Sequence, residues 1–365
     1  MWHTNSSEIP DIDLRPPLNY WSCHDKESGS DPTGKRVSLH TPDGSNVDEI
    51  ASHYHCDNFI DCENLSDESV GCVSNYLIIF IVFGAITAVL VFIAIAVLLF
   101  VILFGLILKY QRLRVASPFF LVLVLLSIIV GYLSIFTWFG KPHPVSCALQ
   151  PWFLGLSVIS MITALCAKVY RVWRIFRVKT TQKITDFNLL ALWAVIMIPA
   201  VLIVTTWTIV STPTARMEER DGEEHYVCTT GGFTGSPSGV IFFSILVAYG
   251  ALVLLIGIFL SIVTRNVPSI FNESKLLAVS IYNLGFLSAV ILPVIIVVEP
   301  FNPFITWILR TIAILYAFTA TLFLQFAPPM FLIIFDDRMS NVNIAKQVII
   351  TASASHVAYN PKFSE

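Results

Sequence analysis

Acidic side chains and cysteines are concentrated in one short stretch near the N-terminus, between Cys56 and Cys72. Carboxylates at this density repel one another, so a cation that gathers them would stabilise the stretch, and hard oxygen ligands suit Ca²⁺. Two interpretations stay open: a calcium-binding loop, or an acidic stalk that is held by disulfides and binds no metal. The carboxylates concerned include those of Asp57, Asp61, Asp67 and Glu68.

The seven cysteines divide into two groups by position. An even set in one polar segment indicates disulfides, and therefore an oxidising, extracellular compartment. Of the remaining three, Cys147 and Cys228 flank later apolar runs, whereas Cys166 lies inside one and is expected to be a packing residue. The even set, which precedes the first apolar run, is Cys23, Cys56, Cys62 and Cys72.

The elements that must position these residues are apolar helices. Of the 365 residues, 55% are hydrophobic and only 13% are charged, whereas about a quarter of a soluble domain is charged, so lipid is the expected solvent. About 20 apolar residues cross the hydrocarbon core as a helix, which satisfies its own backbone. We therefore predict an all-α membrane protein, a seven-transmembrane helix bundle. The predicted spans are Tyr76–Leu108, Ser117–Phe139, Cys147–Val169, Phe187–Val210, Ser238–Val263, Leu276–Val298 and Phe304–Phe335.

Basic residues set the orientation of these spans. They cluster after the first span, after the third, and between the fifth and sixth, whereas the loop before the fifth span is acidic. The positive-inside rule predicts a multi-pass protein of the plasma membrane with an extracellular N-terminus and a cytoplasmic C-terminus. The cytoplasmic connections, predicted at about 8, 17 and 12 residues, are too short for an inserted enzyme domain.

No cleavable signal peptide is visible in residues 1–75, so either the first span directs insertion or the chain lacks its native start. On the predicted outer side, the sequons at Asn5 and Asn64 indicate glycosylation. Cys147 begins the third span at its outer end, and Cys228 lies in the acidic outer loop. Both face the oxidising side, which predicts a disulfide that pins the loop over the bundle; two free thiols are the alternative.

The acidic stretch resembles the C-terminal half of an LDL-receptor class A module. It reads C-D at residues 56–57, D-C at 61–62 and S-D-E at 66–68. The resemblance implies a small disulfide-stapled extracellular segment with the bridges Cys23–Cys62 and Cys56–Cys72; the module's third bridge is missing. It also implies Ca²⁺ as a cofactor. The implied ligands are the side chains of Asp57, Asp61, Asp67 and Glu68 and the carbonyls of Tyr54 and Phe59.

The cytoplasmic ends of the spans resemble a receptor family. Residues 264–275 open with T-R-N-V, residues 281–283 read I-Y-N, and residues 167–176 read A-K-V-Y-R-V-W-R-I-F. These motifs are similar to those of class C G-protein-coupled receptors and closest to metabotropic GABA-B receptors. Over roughly residues 75–340 the resemblance implies a receptor that is not an enzyme. It would transmit an extracellular signal to a heterotrimeric G protein by rearranging its helices.

In that family a lysine of the third helix pairs with an acid at the base of the sixth helix and holds the resting state. The matching residues are Lys168 and Glu273. Both are predicted at the cytoplasmic boundary, where an ion pair is only partly desolvated. The alternative is that Lys168 extends to lipid headgroups. Near the outer end of the seventh span, Arg310 is predicted to pair with Glu299, to face an outer cavity, or to extend to the surface.

The resemblance is incomplete. Class C receptors usually carry a bilobed ligand-binding domain, for which residues 1–75 are too few, and the P-K that commonly ends their seventh helix is replaced by Pro328-Pro329. No coiled coil is predicted in the tail. Two other classes therefore stay open. One is a non-signalling subunit that forms a homo- or heterodimer with another class C receptor. The other is a transporter or channel, for which repeats and several midplane charges are expected but not seen. No nucleic-acid partner is expected.

The predicted organisation has four segments. Residues 1–22 form an extracellular tail, and residues 23–75 form the partial LDL-receptor class A-like module. Residues 76–335 form the seven-span domain, which contacts membrane lipid, and residues 336–365 form a cytoplasmic tail.

Overall fold

A computed structural model gives the structure over most of the membrane-spanning part of the chain and over part of the N-terminal segment. Asn5, Cys23, Asn64 and the tail beyond residue 330 lie outside the described residues. The described residues are 20–22, 49–51, 55–56, 59–60, 62, 65–72, 75–107, 118–177, 186–220, 223–229, 238–264, 273–298, 304–328 and 330.

Seven helices in the described part of the chain are long and apolar enough to cross a membrane. This confirms the predicted seven-transmembrane bundle, and each predicted span corresponds to one helix. We number the spans from first to seventh in chain order. Their α-helices are Tyr76–Val101, Pro118–Ser134, Leu156–Arg177, Asp186–Val210, Ser238–Thr264, Glu273–Val298 and Phe304–Pro328.

Several spans have additional helical turns at their ends. The first continues into a π-helical turn at Ile102–Ile107, and the second ends in a 3₁₀ turn at Ile135–Trp138. The third span is entered through a short helix, Pro144–Gln150, and a π-helical turn, Pro151–Gly155. His143 caps the short helix, because its side chain accepts a hydrogen bond from the backbone N–H of Val145 and satisfies one of the free donors of the first turn.

The helix of the third span continues past the predicted end of its apolar run. That run was predicted to end at Val169, whereas the helix ends at Arg177 and the next helix begins at Asp186. Only residues 178–185 therefore connect the two spans, not about 17 residues. Hydropathy marks where a helix leaves the hydrocarbon, whereas lysine and arginine are good helix formers that continue the helix into the aqueous layer.

Two short antiparallel hairpins accompany the helices. Strands β1 (Tyr20–Ser22) and β2 (Glu49–Ala51) pair in the N-terminal segment. Strands β3 (Thr214–Arg220) and β4 (Glu223–Thr229) fold the acidic loop before the fifth span, and Ala215 lies opposite Cys228. We call the side of the bundle that carries this loop and the N-terminal segment the outer side. The acidic loop is therefore a hairpin, with its last strand available to the outer end of the third span.

The largest buried apolar cluster takes residues from all seven spans, most of them from the second and third, and two glycines permit close contacts in it. A Cβ atom at Gly131 would lie 2.1 Å from Cζ of Phe318, so this glycine lets the second and seventh spans approach. At Gly257 a Cβ atom would lie 2.4 Å from Sγ of Cys166. Cys166 is buried and is a free thiol, and it packs between the third and fifth spans.

Candidate functional site

The N-terminal loop is closed by a disulfide. Cys56 is bonded to Cys72, with their Cα atoms 5.5 Å apart. Cys62 is also disulfide-bonded, but Cys23, its partner by resemblance, lies outside the described residues. Within the described part of the chain, the group of metal-ligating type is His55, Cys56 and Cys72. Because both of its sulfurs form the disulfide, neither offers the thiolate that a metal would need.

Half of the predicted calcium ligands lie within the described residues. Asp67 and Glu68 are 0% and 2% exposed, and Phe59 is half-buried, whereas Tyr54, Asp57 and Asp61 lie outside the described residues. The backbone N–H of Cys62 donates to Oδ2 of Asp67 at 3.2 Å. Two adjacent carboxylates that are withdrawn from water require compensation by donors or by a cation. Their oxygen chemistry fits a hard cation such as Ca²⁺.

Aromatic side chains connect the outer ends of the first, second and seventh spans. We call this set the outer aromatic cluster. Tyr76 stacks on Phe304 with ring centroids 3.4 Å apart, and Phe80 meets Trp307 edge-on at 4.4 Å. Offset and edge-to-face pairs of this kind stabilise a contact beyond the apolar area they bury. The cluster consists of Tyr76, Phe80, Phe83, Phe139, Phe304 and Trp307.

Arg310 lies beside this cluster. Its guanidinium carbon is 4.0 Å from the ring centroid of Trp138, which places a cation over an aromatic face at the end of the second span. Glu299, the partner considered from the sequence, lies outside the described residues. Arg310 therefore connects the seventh span to the second. Nothing in the spacing of the two residues along the chain indicates this contact.

The second disulfide holds the acidic hairpin on the third span. Cys147 and Cys228 are bonded, with Cα atoms 5.5 Å apart, and Cys147 is fully buried. Nε2 of Gln150 donates to the Thr137 carbonyl at 3.3 Å and lies 3.6 Å from Sγ of Cys228. The hairpin is therefore attached covalently to the third span, and Gln150 hydrogen-bonds to the end of the second.

The predicted resting-state pair is only partly described. Lys168 is 6% exposed in the third span, and Glu273 is the first residue of the sixth helix, but its side chain lies outside the described residues. The Lys168–Glu273 pair stays a prediction. A different ion pair, missed from the sequence, joins Nη1 of Arg171 to Oδ1 of Asp186 at 3.0 Å. It connects the third and fourth spans, and its partial exposure makes its contribution to stability small.

Single hydrogen bonds connect the seventh span to its neighbours within the membrane. The hydroxyls of Tyr132 and Thr319 are 2.8 Å apart, which joins the second and seventh spans. Nε2 of Gln325 donates to Oγ of Ser280 at 2.9 Å. The Tyr316 hydroxyl donates to Oδ1 of Asn283 at 3.1 Å. Asn283 is the last residue of the I-Y-N motif, and Ser280 directly precedes the motif. The motif was the sequence signal near these contacts.

The seventh span therefore takes part in two different sets of contacts. Its outer turns pack in the outer aromatic cluster, and its deeper residues hydrogen-bond to the second and sixth spans. This arrangement carries no constellation of an acid, a base and a nucleophile among the described residues.

Comparison with known proteins gives a family match over the spans. Residues 78–329 match the family model described as "7 transmembrane sweet-taste receptor of 3 GCPR". The chain is 28% identical over 260 residues to metabotropic glutamate receptor-like protein E of Dictyostelium discoideum, covering 70% of this chain and 30% of that protein. To protein M of the same organism it is 30% identical over 259 residues, covering 68% and 34%.

A further relative is gamma-aminobutyric acid type B receptor subunit 2 of Rattus norvegicus. It is 28% identical over 239 residues, which is 60% of this chain and 25% of the relative. The aligned region thus spans only about a quarter to a third of the length of these relatives.

Proposed function

The chain belongs to the class C family of G-protein-coupled receptors, and we propose that it transmits an extracellular signal to a cytoplasmic heterotrimeric G protein. Proteins of this family are receptors and not enzymes, and the chain is a multi-pass membrane protein. The observation that carries the proposal is the family match over residues 78–329, which includes parts of all seven spans.

The mechanism we propose is a change in the relative positions of the spans. A ligand shifts such an equilibrium only by binding one arrangement better than the other. The seventh span is suited to transmit the shift, because its outer turns and its deeper residues contact different neighbours. The distribution of basic residues supports an extracellular N-terminus and a cytoplasmic C-terminus.

Within the family, we propose a GABA-B-like receptor. The T-R-N-V and I-Y-N motifs support this assignment, and a type B receptor subunit is among the relatives. The metabotropic glutamate receptor-like relatives have comparable identity, so identity does not distinguish the two groups of relatives. The proposal of a GABA-B-like receptor therefore rests on the two motifs. Dimer formation with a second class C chain belongs to the same proposal.

The N-terminal segment is proposed to be a partial LDL-receptor class A module that binds Ca²⁺. Asp67 and Glu68, both buried, would contribute carboxylate oxygens, together with the remaining predicted ligands. The cation would neutralise the acidic loop and hold it closed. Calcium titration of the oxidised full chain in detergent tests the proposal, with the thermal unfolding midpoint as the readout. A midpoint unchanged by millimolar calcium would mean that the loop is held by its disulfides and binds no metal. Glycosylation of Asn5 and Asn64 is proposed on their sequons alone.

Guanine-nucleotide exchange tests the signalling proposal. The full chain is expressed alone and with another class C receptor, and exchange is measured on added heterotrimeric G proteins at matched surface expression. Exchange above the level of membranes without the chain supports a receptor. If the chain alone never raises exchange, but changes the exchange produced by the second receptor, the chain is a partner subunit and not an independent receptor.

The Lys168–Glu273 pair gives a sharper form of this experiment. Loss of one partner leaves the other charge poorly compensated in the resting state. A charged hydrogen bond at this boundary contributes about 1–3 kcal/mol, so Glu273→Ala should raise ligand-independent exchange by roughly 5- to 150-fold. The swap Lys168→Glu with Glu273→Lys should lower it again. If Glu273→Ala leaves the exchange of an active chain unchanged, the restraint does not exist.

A further inference from the structure

The loop closed by Cys56 and Cys72 contacts the bundle directly. Leu65 is 9% exposed and belongs to one hydrophobic cluster with Tyr76, Phe80 and Trp307, and Ile60 packs against the same cluster. Its neighbours in sequence, Ser66–Ser69, are also buried. A loop that extended into water as a stalk would leave these positions exposed.

The loop is also hydrogen-bonded to the start of the first span. The N–H of Cys56 donates to the Asp67 carbonyl at 3.0 Å, and the hydroxyl of Ser69 donates to the Leu65 carbonyl. The N–H of Tyr76, the first residue of the helix, donates to the Glu68 carbonyl at 3.3 Å. Asn75 caps the same helix by accepting from the N–H of Ile78 at 3.1 Å. The bond from Tyr76 to Glu68 therefore connects the loop directly to the first turn of the first span.

The same cluster contains the outer turn of the seventh span. Phe304 stacks on Tyr76, and Trp307 packs edge-on against Phe80 and Phe83. Among the described residues, Nε1 of Trp307 has no hydrogen-bond partner, so this side chain contributes through its ring. The first and seventh spans therefore meet under the loop, and Leu65 packs where they meet.

We propose that this loop is a restraint on the seventh span: its apolar side chains hold the outer ends of the first and seventh spans together through the outer aromatic cluster. The proposal deepens the proposed function, because it names the extracellular segment through which the position of the seventh span is regulated. A partner or ligand that lifts the loop would free the outer turns of the seventh span. The deeper hydrogen bonds to the second and sixth spans lie further along the same helix.

A double-mutant cycle on the full chain in lipid nanodiscs tests the contact. The variants are Leu65→Ala, Trp307→Leu and their combination, and the readout is the thermal unfolding midpoint. Val70→Ala is the control, because Val70 belongs to the same loop but is 43% exposed and lies outside the cluster. Trp307→Leu is used because it keeps an apolar side chain in the membrane. Residues that share a contact give non-additive losses.

The expected result is that the combined variant loses little more than the larger single loss, whereas Val70→Ala changes nothing and adds nothing to Trp307→Leu. Hydrogen exchange then reports on the spans. In Leu65→Ala, peptides covering residues 304–310 should exchange roughly fivefold faster, and peptides at the cytoplasmic end of the third span should not change. Additive losses, or unchanged exchange at residues 304–310, would overturn the restraint.

Nucleotide exchange separates this proposal from the proposed function. In a chain that activates a G protein, Leu65→Ala should change ligand-independent exchange several-fold and Val70→Ala should not; equal exchange in both would overturn the regulatory role. If no variant activates a G protein, the signalling proposal fails. The cycle and the hydrogen exchange still decide whether the loop restrains the seventh span.

Discussion

The outer end of the bundle and its interior are held together in different ways. At the outer end, disulfides such as Cys56–Cys72 and Cys147–Cys228 and a cluster of aromatic rings join loops and spans. In the interior, close contacts at Gly131 and Gly257 and single hydrogen bonds such as Gln325–Ser280 join the helices. The first set consists of covalent bonds and large apolar contacts. The second set adds to the apolar packing of the core, and each of its contacts depends on a few atoms.

This difference follows from the two solvents. Water borders the outer end, so burial of aromatic rings is driven by the hydrophobic effect and disulfides form under oxidising conditions. In the interior, lipid tails are as apolar as the side chains, so helices associate through close packing of small residues and a few hydrogen bonds. Each interior contact therefore contributes little on its own, whereas the disulfides fix the geometry of the outer end.

The largest effect is expected from the Cys147–Cys228 disulfide, whose removal would break the outer attachment. The bridge closes a separation of 81 residues, compared with 16 for Cys56–Cys72. For flexible chains, loops of these lengths correspond to roughly 4.5 and 3 kcal/mol of stabilisation. Cys147→Ser with Cys228→Ser should therefore lower the thermal unfolding midpoint more than Cys56→Ser with Cys72→Ser.

Helices that stay formed between Cys147 and Cys228 reduce the stabilisation expected from that disulfide. The prediction is therefore that its loss lowers the midpoint more than loss of Cys56–Cys72 does. The measurement is thermal unfolding of the purified chain in nanodiscs. A larger loss for the Cys56–Cys72 pair would show that the N-terminal loop, and not the acidic hairpin, fixes the outer end.

The second expected effect concerns helix packing in the interior. In Gly131→Ala the added methyl would lie 2.1 Å from Cζ of Phe318, and overpacking of this kind costs about 1–3 kcal/mol. Gly250→Ala is the matched control, because its nearest neighbour, Cγ1 of Ile159, is at an ordinary 3.7 Å. That control should be neutral or stabilising, since alanine favours helix by up to about 1 kcal/mol.

Combining Gly131→Ala with Phe318→Leu should recover part of the loss, because the smaller side chain vacates the space that the methyl needs. Thermal unfolding midpoints of Gly131→Ala, Phe318→Leu, their combination and Gly250→Ala provide the comparison. Equal stability of Gly131→Ala and Gly250→Ala would mean that the second and seventh spans do not pack as closely as described.

The parts of the fold that the sequence predicts are those that depend on composition. A run of apolar residues specifies a span in lipid, so the number of spans could be predicted, as could the placement of Cys147 and Cys228 at one end. The end of the third span at Arg177 could not, because hydropathy falls at the membrane boundary while helix propensity does not.

Contacts between spans could not be predicted for a different reason. Arg310 and Trp138, or Gln325 and Ser280, lie far apart in sequence, and each helix could present several faces to its neighbours. The rotation of each helix is fixed by packing of all seven together, through close contacts such as Gly131 with Phe318. The role of Leu65 was missed for the same reason: an apolar residue in an acidic loop gives no indication of its partner.

The smallest expected effect concerns the Gln325–Ser280 hydrogen bond. It tests whether a single interior contact contributes as little as the comparison of the outer end with the interior implies. Both residues are buried, and the bond joins the sixth and seventh spans. Hydrogen bonds between helices in membranes contribute on average about 0.6 kcal/mol, with a maximum near 1.7 kcal/mol. A cycle of Gln325→Leu, Ser280→Ala and both together should give a coupling energy in that range.

Ser288→Ala is the matched control for this cycle. The Ser288 hydroxyl donates to the carbonyl of Gly285 in its own helix, so it should add to Gln325→Leu without coupling. If the bond favours the resting arrangement, its loss should raise basal nucleotide exchange by only about 3- to 20-fold, at or below the lower part of the range expected for the Lys168–Glu273 pair. A coupling energy well above 2 kcal/mol would contradict the difference drawn between the two regions, because the interior would then be held as firmly as the outer end.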